Sequence, residues 1–220
     1  MLKFSVVVFM LGVSAMSANA NAFHLNPDQR ATTSMATFGS TTIPIGYYEY
    51  CQRYAERCER TAQGSSVNLT PNRWKQLVSV NSEVNTSIIP RTDPEIFGVE
   101  ERWVYPDGVG DCEDYALLKR KILNEQAGIP LGALSMTVGR DANGGGHAVL
   151  TVITDMGDFI LDNVEPRVLP WQEAEIQFLK RQSSTDPNVW VSLIREGRAR
   201  DFGSYASNQA NSIAARKLRK

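Results

Sequence analysis

The residue pattern predicts an α+β domain, on three observations. Apolar residues recur at three- and four-residue spacing over 74–85, and a helix-like pattern returns over 111–126. Two-residue alternation then takes over in HAVLTVIT (147–154) and FILDNV (159–164), on either side of a short glycine-containing turn. No internal repeat or composition break divides residues 24–196, so helices followed by an antiparallel meander are read as one domain.

The chain opens with Lys3, an apolar run from Phe4 to Val13 and a stretch of small residues. Ala18-Asn19-Ala20 and Ala20-Asn21-Ala22 both suit leader cleavage, so residues 1–22 read as a signal peptide. The apolar run is too short to span a bilayer. The expected division is then a leader over 1–22, a domain over 23–196 and a basic tail over 197–220. Lys3 is the only charge in the leader, so the remainder carries 22 basic against 24 acidic residues. That balance points away from a nucleic-acid partner. Export makes the place periplasmic or secreted, and it makes three cysteines informative. Cys51 and Cys58 can pair only if YCQRYAERCE bends between them, because seven residues of straight helix separate two sulfurs by roughly 10 Å. Cys112 is then odd.

Residues 23–46, rich in Thr, Ser, Gly and Pro, read as an extended or looped approach. Thr70-Pro71 starts a helix, Thr as N-cap and Pro at the first helical position. Its apolar face carries Trp74, Leu77, Val78 and Val84, with Asn81 and Asn85 on or beside it. Those asparagines either satisfy buried backbone groups or line a cleft. Residues 86–110 form a long irregular connection in which Trp103 either covers a cleft or packs. A helix over about 111–126 shows Tyr115, Leu118 and Ile122 on one face. Leu134–Val138 is a predicted strand and GRDANGGGH a flexible turn. A hairpin follows with a four-residue turn at 155–158, then a helix over Trp171–Gln182 and a short strand over Val189–Ile194.

Asp107, Asp111, Glu113 and Asp114 crowd Cys112 within five residues. Acids oppose a thiolate, so a cysteine selected for reactivity should avoid them. Against this, Cys112 falls in the first turn of its predicted helix, at the positive end of the macrodipole. His147 and Asp162 follow in chain order and supply the base and its orienting acid. In the predicted hairpin Asp162 faces Thr151, which shares a face with His147, whereas Asn163 and Glu165 point the other way. Four residues of offset still leave roughly 13 Å between them, too far for a hydrogen bond. The backbone N–H of Cys112 is a candidate oxyanion donor. Trp103, Asn81 and Asn85 are its candidate side-chain companions.

The blocks GDCEDYALLKR, GGHAVLTVITDMGDFILDN and the upstream VNSEVN resemble the bacterial transglutaminase-like cysteine proteinases, over about Cys51 to Trp190. The resemblance implies a papain-like/transglutaminase-like core, its nucleophile helix packed on an antiparallel sheet. It implies a triad of Cys112, His147 and Asp162 acting on a protein substrate. From the best-understood members it implies periplasmic proteases that release surface adhesins under a membrane-bound regulator. It also implies calcium held by acids flanking the cysteine, which are Asp111, Glu113 and Asp114 here; no organic cofactor is implied. Two other readings stay open: acyl transfer to amines or deamidation by the same triad, and a non-catalytic, calcium-stabilised binding module.

Overall fold

A computed structural model describes residues 33–60 and 65–195. The predicted leader, the start of the predicted domain and the basic tail lie outside the described residues. None of the described helices is long and apolar enough to cross a membrane.

A two-residue edge strand β1 (Ser40–Thr41) leads into α1 (Ile45–Arg53). The chain leaves that helix at Tyr54 and turns through a short 3-10 segment, Ala55–Arg57, which brings Cys51 and Cys58 together as a disulfide with Cα atoms 5.7 Å apart. This is the bend that the pairing required. Helix α2 (Pro71–Ser87) starts as predicted, with Thr70 Oγ1 accepting from the Arg73 N–H at 3.2 Å. It buries Trp74, Leu77, Val80, Asn81 and Val84.

The irregular connection has more order than its prolines suggested. Strand β2 (Ile89–Pro90) pairs in parallel with β3 (Val109–Gly110), and between them lies α3 (Asp93–Phe97) with a Thr92/Glu95 capping box. Helix α4 (Cys112–Glu125) follows directly. Its buried stripe is centred on Ala116, Lys119, Arg120 and Leu123, with Leu118 and Ile122 only partly covered.

Among the described residues seven strands form one sheet, in the order β1-β9-β8-β4-β5-β6-β7. The remaining members are β4 (Leu134–Arg140), β5 (Gly146–Thr154), β6 (Gly157–Leu161), β7 (Leu169–Pro170), β8 (Gln177–Gln182) and β9 (Trp190–Ser192). One face packs on α4: Leu134, Met136, Leu150, Val152 and Leu161 meet Ala116, Leu117 and Leu123 in the main core. The opposite face carries a smaller cluster around Met35, Val149 and Ile160.

Two expectations are corrected. The segment 171–182 is not a helix: a single 3-10 turn at Trp171–Glu173 gives way to β8, and Ile176 and Phe178 pack two apart on the smaller cluster. The edge of β4 offered ladder partners that outweighed the helix propensity of its Glu, Ala and Gln residues. The hairpin turn is also tighter than predicted, for Thr154 pairs with Gly157. Thr154 Oγ1 donates to the Gly157 carbonyl at 2.7 Å and accepts from the Met156 N–H at 3.0 Å, and Gly157 takes φ 107° to begin β6.

The register of β6 is anchored from below. Asp158 is wholly buried, accepting from the Met35 N–H at 2.8 Å and from Arg181 Nη1 at 2.7 Å. Removing one member of such a pair strands the other without water. Asp158→Ala is expected to lower the unfolding free energy by about 3–5 kcal/mol, read from the urea midpoint; a loss within 0.5 kcal/mol would contradict that role.

Candidate active site

The tighter turn changes the relation of histidine and aspartate. Leu150 pairs with Leu161, so Asp162 stands beside Val149 rather than Thr151. Side-chain parity is unchanged, but the offset from His147 falls from four residues to two, roughly 7 Å. Side chains close that gap: His147 Nε2 and Asp162 Oδ1 are 2.9 Å apart, and both side chains are about nine-tenths buried. Asp162 Oδ1 also accepts from the Val164 N–H at 3.0 Å, and Asn85 Nδ2 donates to the Asp162 carbonyl at 2.8 Å. The acid is thus fixed at its backbone and at its carboxylate.

Cys112 is the first residue of α4, where backbone N–H groups lack intrahelical acceptors. Its sulfur accepts from the N–H of Ala148, the residue after His147, at 3.3 Å, and donates to Glu113 Oε2 at 3.2 Å. Helix and sheet therefore meet at the thiol, one residue from the imidazole. Burial, and then the carboxyl of Glu113, push the thiol well above the ordinary cysteine range.

Parallel pairing of β2 with β3 carries Asp93 to the start of α4, where its N–H donates to Asp111 Oδ2 at 3.1 Å. Carboxylate oxygens of Asp93, Asp111 and Glu113 lie within 4.8 Å of one another. Burial first, and Asp111's charge second, push Glu113 up to about 10. Burial likewise raises Asp93. Asp93 Oδ1 and Asp111 Oδ1 are buried without hydrogen-bond partners among the described residues. Such a cluster of oxygens fits a hard dication, with carbonyls or water completing six to eight ligands.

Asp93 was missed because nothing in the sequence links it to a cysteine 19 residues on; its signal was only a Thr-Asp-Pro-Glu helix start. Asp114 is not in the cluster. Its Oδ1 accepts from the Val104 N–H at 2.8 Å, it packs where Gly110 has no side chain, and burial pushes it up to about 7.

The three proposed oxyanion companions are occupied elsewhere. Trp103 is 2% exposed, lies against Tyr47 and Trp190 in the main core, and donates from Nε1 to Glu101 at 2.9 Å. Asn81 is fully buried and donates to the Pro166 carbonyl at 3.0 Å, while Asn85 serves Asp162. Both asparagines thus satisfy backbone carbonyls of the chain around the acid. A cleft of about 300 Å³ opens beside His147 and Asp162, with Ile160, Leu169 and Ile176 among its walls and Glu165 and Glu175 among its acids.

A helix that begins with a cysteine packs on an antiparallel sheet, the arrangement of a transglutaminase-like fold. Residues 37–198 match the model of the bacterial transglutaminase-like cysteine proteinases, BTLCP, and the chain belongs to that family of cysteine peptidases. Comparison with curated proteins gave no match. Among solved structures, calcium-bound Legionella pneumophila LapG is similar, with 25% identity, coverage of 67% of this chain and 88% of that one, and a TM-score of 0.48. A second LapG structure shows 23% identity, coverage of 78% and 97%, and a TM-score of 0.46. An EGTA-treated LapG shows 25% identity, coverage of 66% and 83%, and a TM-score of 0.43.

Proposed function

We propose that this chain is an exported peptidase that cleaves a protein, on the family's pattern one at the cell surface, through a triad of Cys112, His147 and Asp162. The observation that carries the reading is the 2.9 Å bond between His147 Nε2 and Asp162 Oδ1, one residue from the N–H that contacts the Cys112 sulfur. With Nε2 donating to Asp162, Nδ1 is the ring nitrogen left to take the thiol proton. The thiolate attacks the scissile carbonyl, and the imidazolium passes its proton to the departing amine. His147 then deprotonates water, which attacks the thioester and releases the acid. The Cys112 N–H faces the developing oxyanion. The cleft beside the imidazole receives the departing side of the substrate, since that is the side to which the proton goes.

Export rests on the leader-like residues 1–22 and agrees with a disulfide between Cys51 and Cys58. A membrane-bound regulator is inferred from the family pattern. Asp93, Asp111 and Glu113 would hold calcium. The dication supplies a positive field that cancels the acids' opposition to the thiolate. This answers why acids surround a nucleophilic sulfur: they serve the metal.

Incubating the calcium-loaded protein with a proteome-derived peptide library, with and without an added primary amine, tests the reading. New N-termini are expected in both samples. Products confined to modified glutamine side chains would establish acyl transfer instead, and no product in either would favour a binding module.

A further inference from the structure

One buried charge has no part in the chemistry above. Lys119 lies seven residues after Cys112 on α4, two turns along the same face, and its residue is 0% exposed. Its ammonium sits 6.0 Å from the Tyr115 ring centroid and has no hydrogen-bond partner among the described residues. A lysine so placed is costly unless a nearby charge offsets its desolvation. The charge whose field reaches it is the Asp162 carboxylate. Helix α2, packed on α4, brings two more orphans: Asn81 Oδ1 and Asn85 Oδ1 are both buried without partners among the described residues. These are the same asparagines whose amide nitrogens grip the carbonyls of Pro166 and Asp162. The helix that carries this cation thus packs on the helix whose two asparagines hold the segment that carries the acid.

We infer that Lys119 is a positioning residue for the triad: its ammonium is the counter-charge of the buried Asp162 carboxylate, and with Asn81 and Asn85 it fixes the segment 162–166 from which that carboxylate orients His147. The inference rests on the triad reading and extends it. Burial draws the Lys119 ammonium down to about 7, while the attraction of Asp162 opposes that fall. Lys119 is wholly buried, so it acts on the acid and not on substrate.

The test is a double-mutant cycle in the calcium-loaded protein, read as the iodoacetamide rate of Cys112 and as kcat and KM on a cleaved library peptide. Lys119→Met is expected to lower kcat and the alkylation rate roughly tenfold, with KM unchanged, and Lys119→Arg to recover most of that loss. In an Asp162→Asn background, Lys119→Met is expected to change the alkylation rate less than about twofold. Equal fold-losses in both backgrounds, or wild-type behaviour of Lys119→Met, would overturn the inference. If Lys119→Met fails to fold, the near-isosteric Lys119→Gln takes its place in the cycle. His147→Ala separates the two claims. If it leaves alkylation unchanged, the triad and the inference fall together; if it slows alkylation while the cycle is additive, only the inference falls.

Discussion

Replacing Cys112 by Ala is expected to abolish peptide-bond cleavage, with a fall in kcat on the order of 10⁴–10⁶ and no change in melting temperature beyond a few degrees. The sulfur hydrogen-bonds Glu113 and the Ala148 N–H and packs at the margin of the main core, and Ala keeps the Cβ there, so its loss costs the fold little. His147→Ala is expected to cost a similar factor, and the double variant no more than either single one, because nucleophile and base act as a unit. The library of peptides scores all three proteins. Cleavage that persists within tenfold in Cys112→Ala would remove the thiol from the chemistry.

Calcium has the second large expected effect, and its size grows with pH as the carboxyls ionise. Burial pushes Glu113 up to about 10 and Asp114 up to about 7, whereas in the unfolded chain such groups titrate near 4. The metal-free folded protein therefore holds more protons than the unfolded chain from about pH 4 upward, and stability falls as pH rises through that window. Lys119 works the other way above about 7, since its depressed value penalises the folded state at lower pH and that penalty fades as pH rises. Between pH 5 and 7 Glu113 and Asp114 outweigh Lys119, so the EGTA-treated protein is expected to melt lower at pH 7 than at pH 5. On the proposed reading calcium takes the ionised carboxylates. At about 100-fold excess over its dissociation constant it contributes about 2.7 kcal/mol, roughly 5–10 °C in melting temperature. Differential scanning fluorimetry of wild type and Asp111→Ala checks this. A shift at pH 7 that is absent in Asp111→Ala is expected, and no shift at millimolar calcium would remove the metal from the account.

Local signals made the elements around the site readable. Thr70-Pro71 marked the start of α2, a bend between Cys51 and Cys58 was forced by disulfide geometry, and alternation put Asp162 on the face of His147. What escaped were relations set by tertiary structure. The two-residue turn depends on Thr154 bonding its own loop, a contact without a pattern in the sequence, and it halved the offset that separated base from acid. Asp93 reaches Asp111 only because two short strands pair in parallel across an irregular connection. Lys119 was invisible for another reason: a lysine on a helix reads as a solvated face, and its burial shifted the covered stripe away from Leu118 and Ile122. Trp103, whose sequence left a cleft-covering role open, lies in the main core because Gly46 lets its ring approach α1 without a Cβ in the way.

The proposed chemistry turns on an imidazole ionising a thiol that burial and its acidic neighbours would otherwise hold protonated. The most direct measurement is the rate of Cys112 alkylation by iodoacetamide as a function of pH, in calcium-loaded wild type and His147→Ala. Wild type is expected to react fast at and below pH 7, well beneath the ordinary thiol value of about 8.5, with that acidic reactivity lost in His147→Ala. Two coincident profiles, each rising only above about pH 8 as an unassisted thiol does, would contradict it.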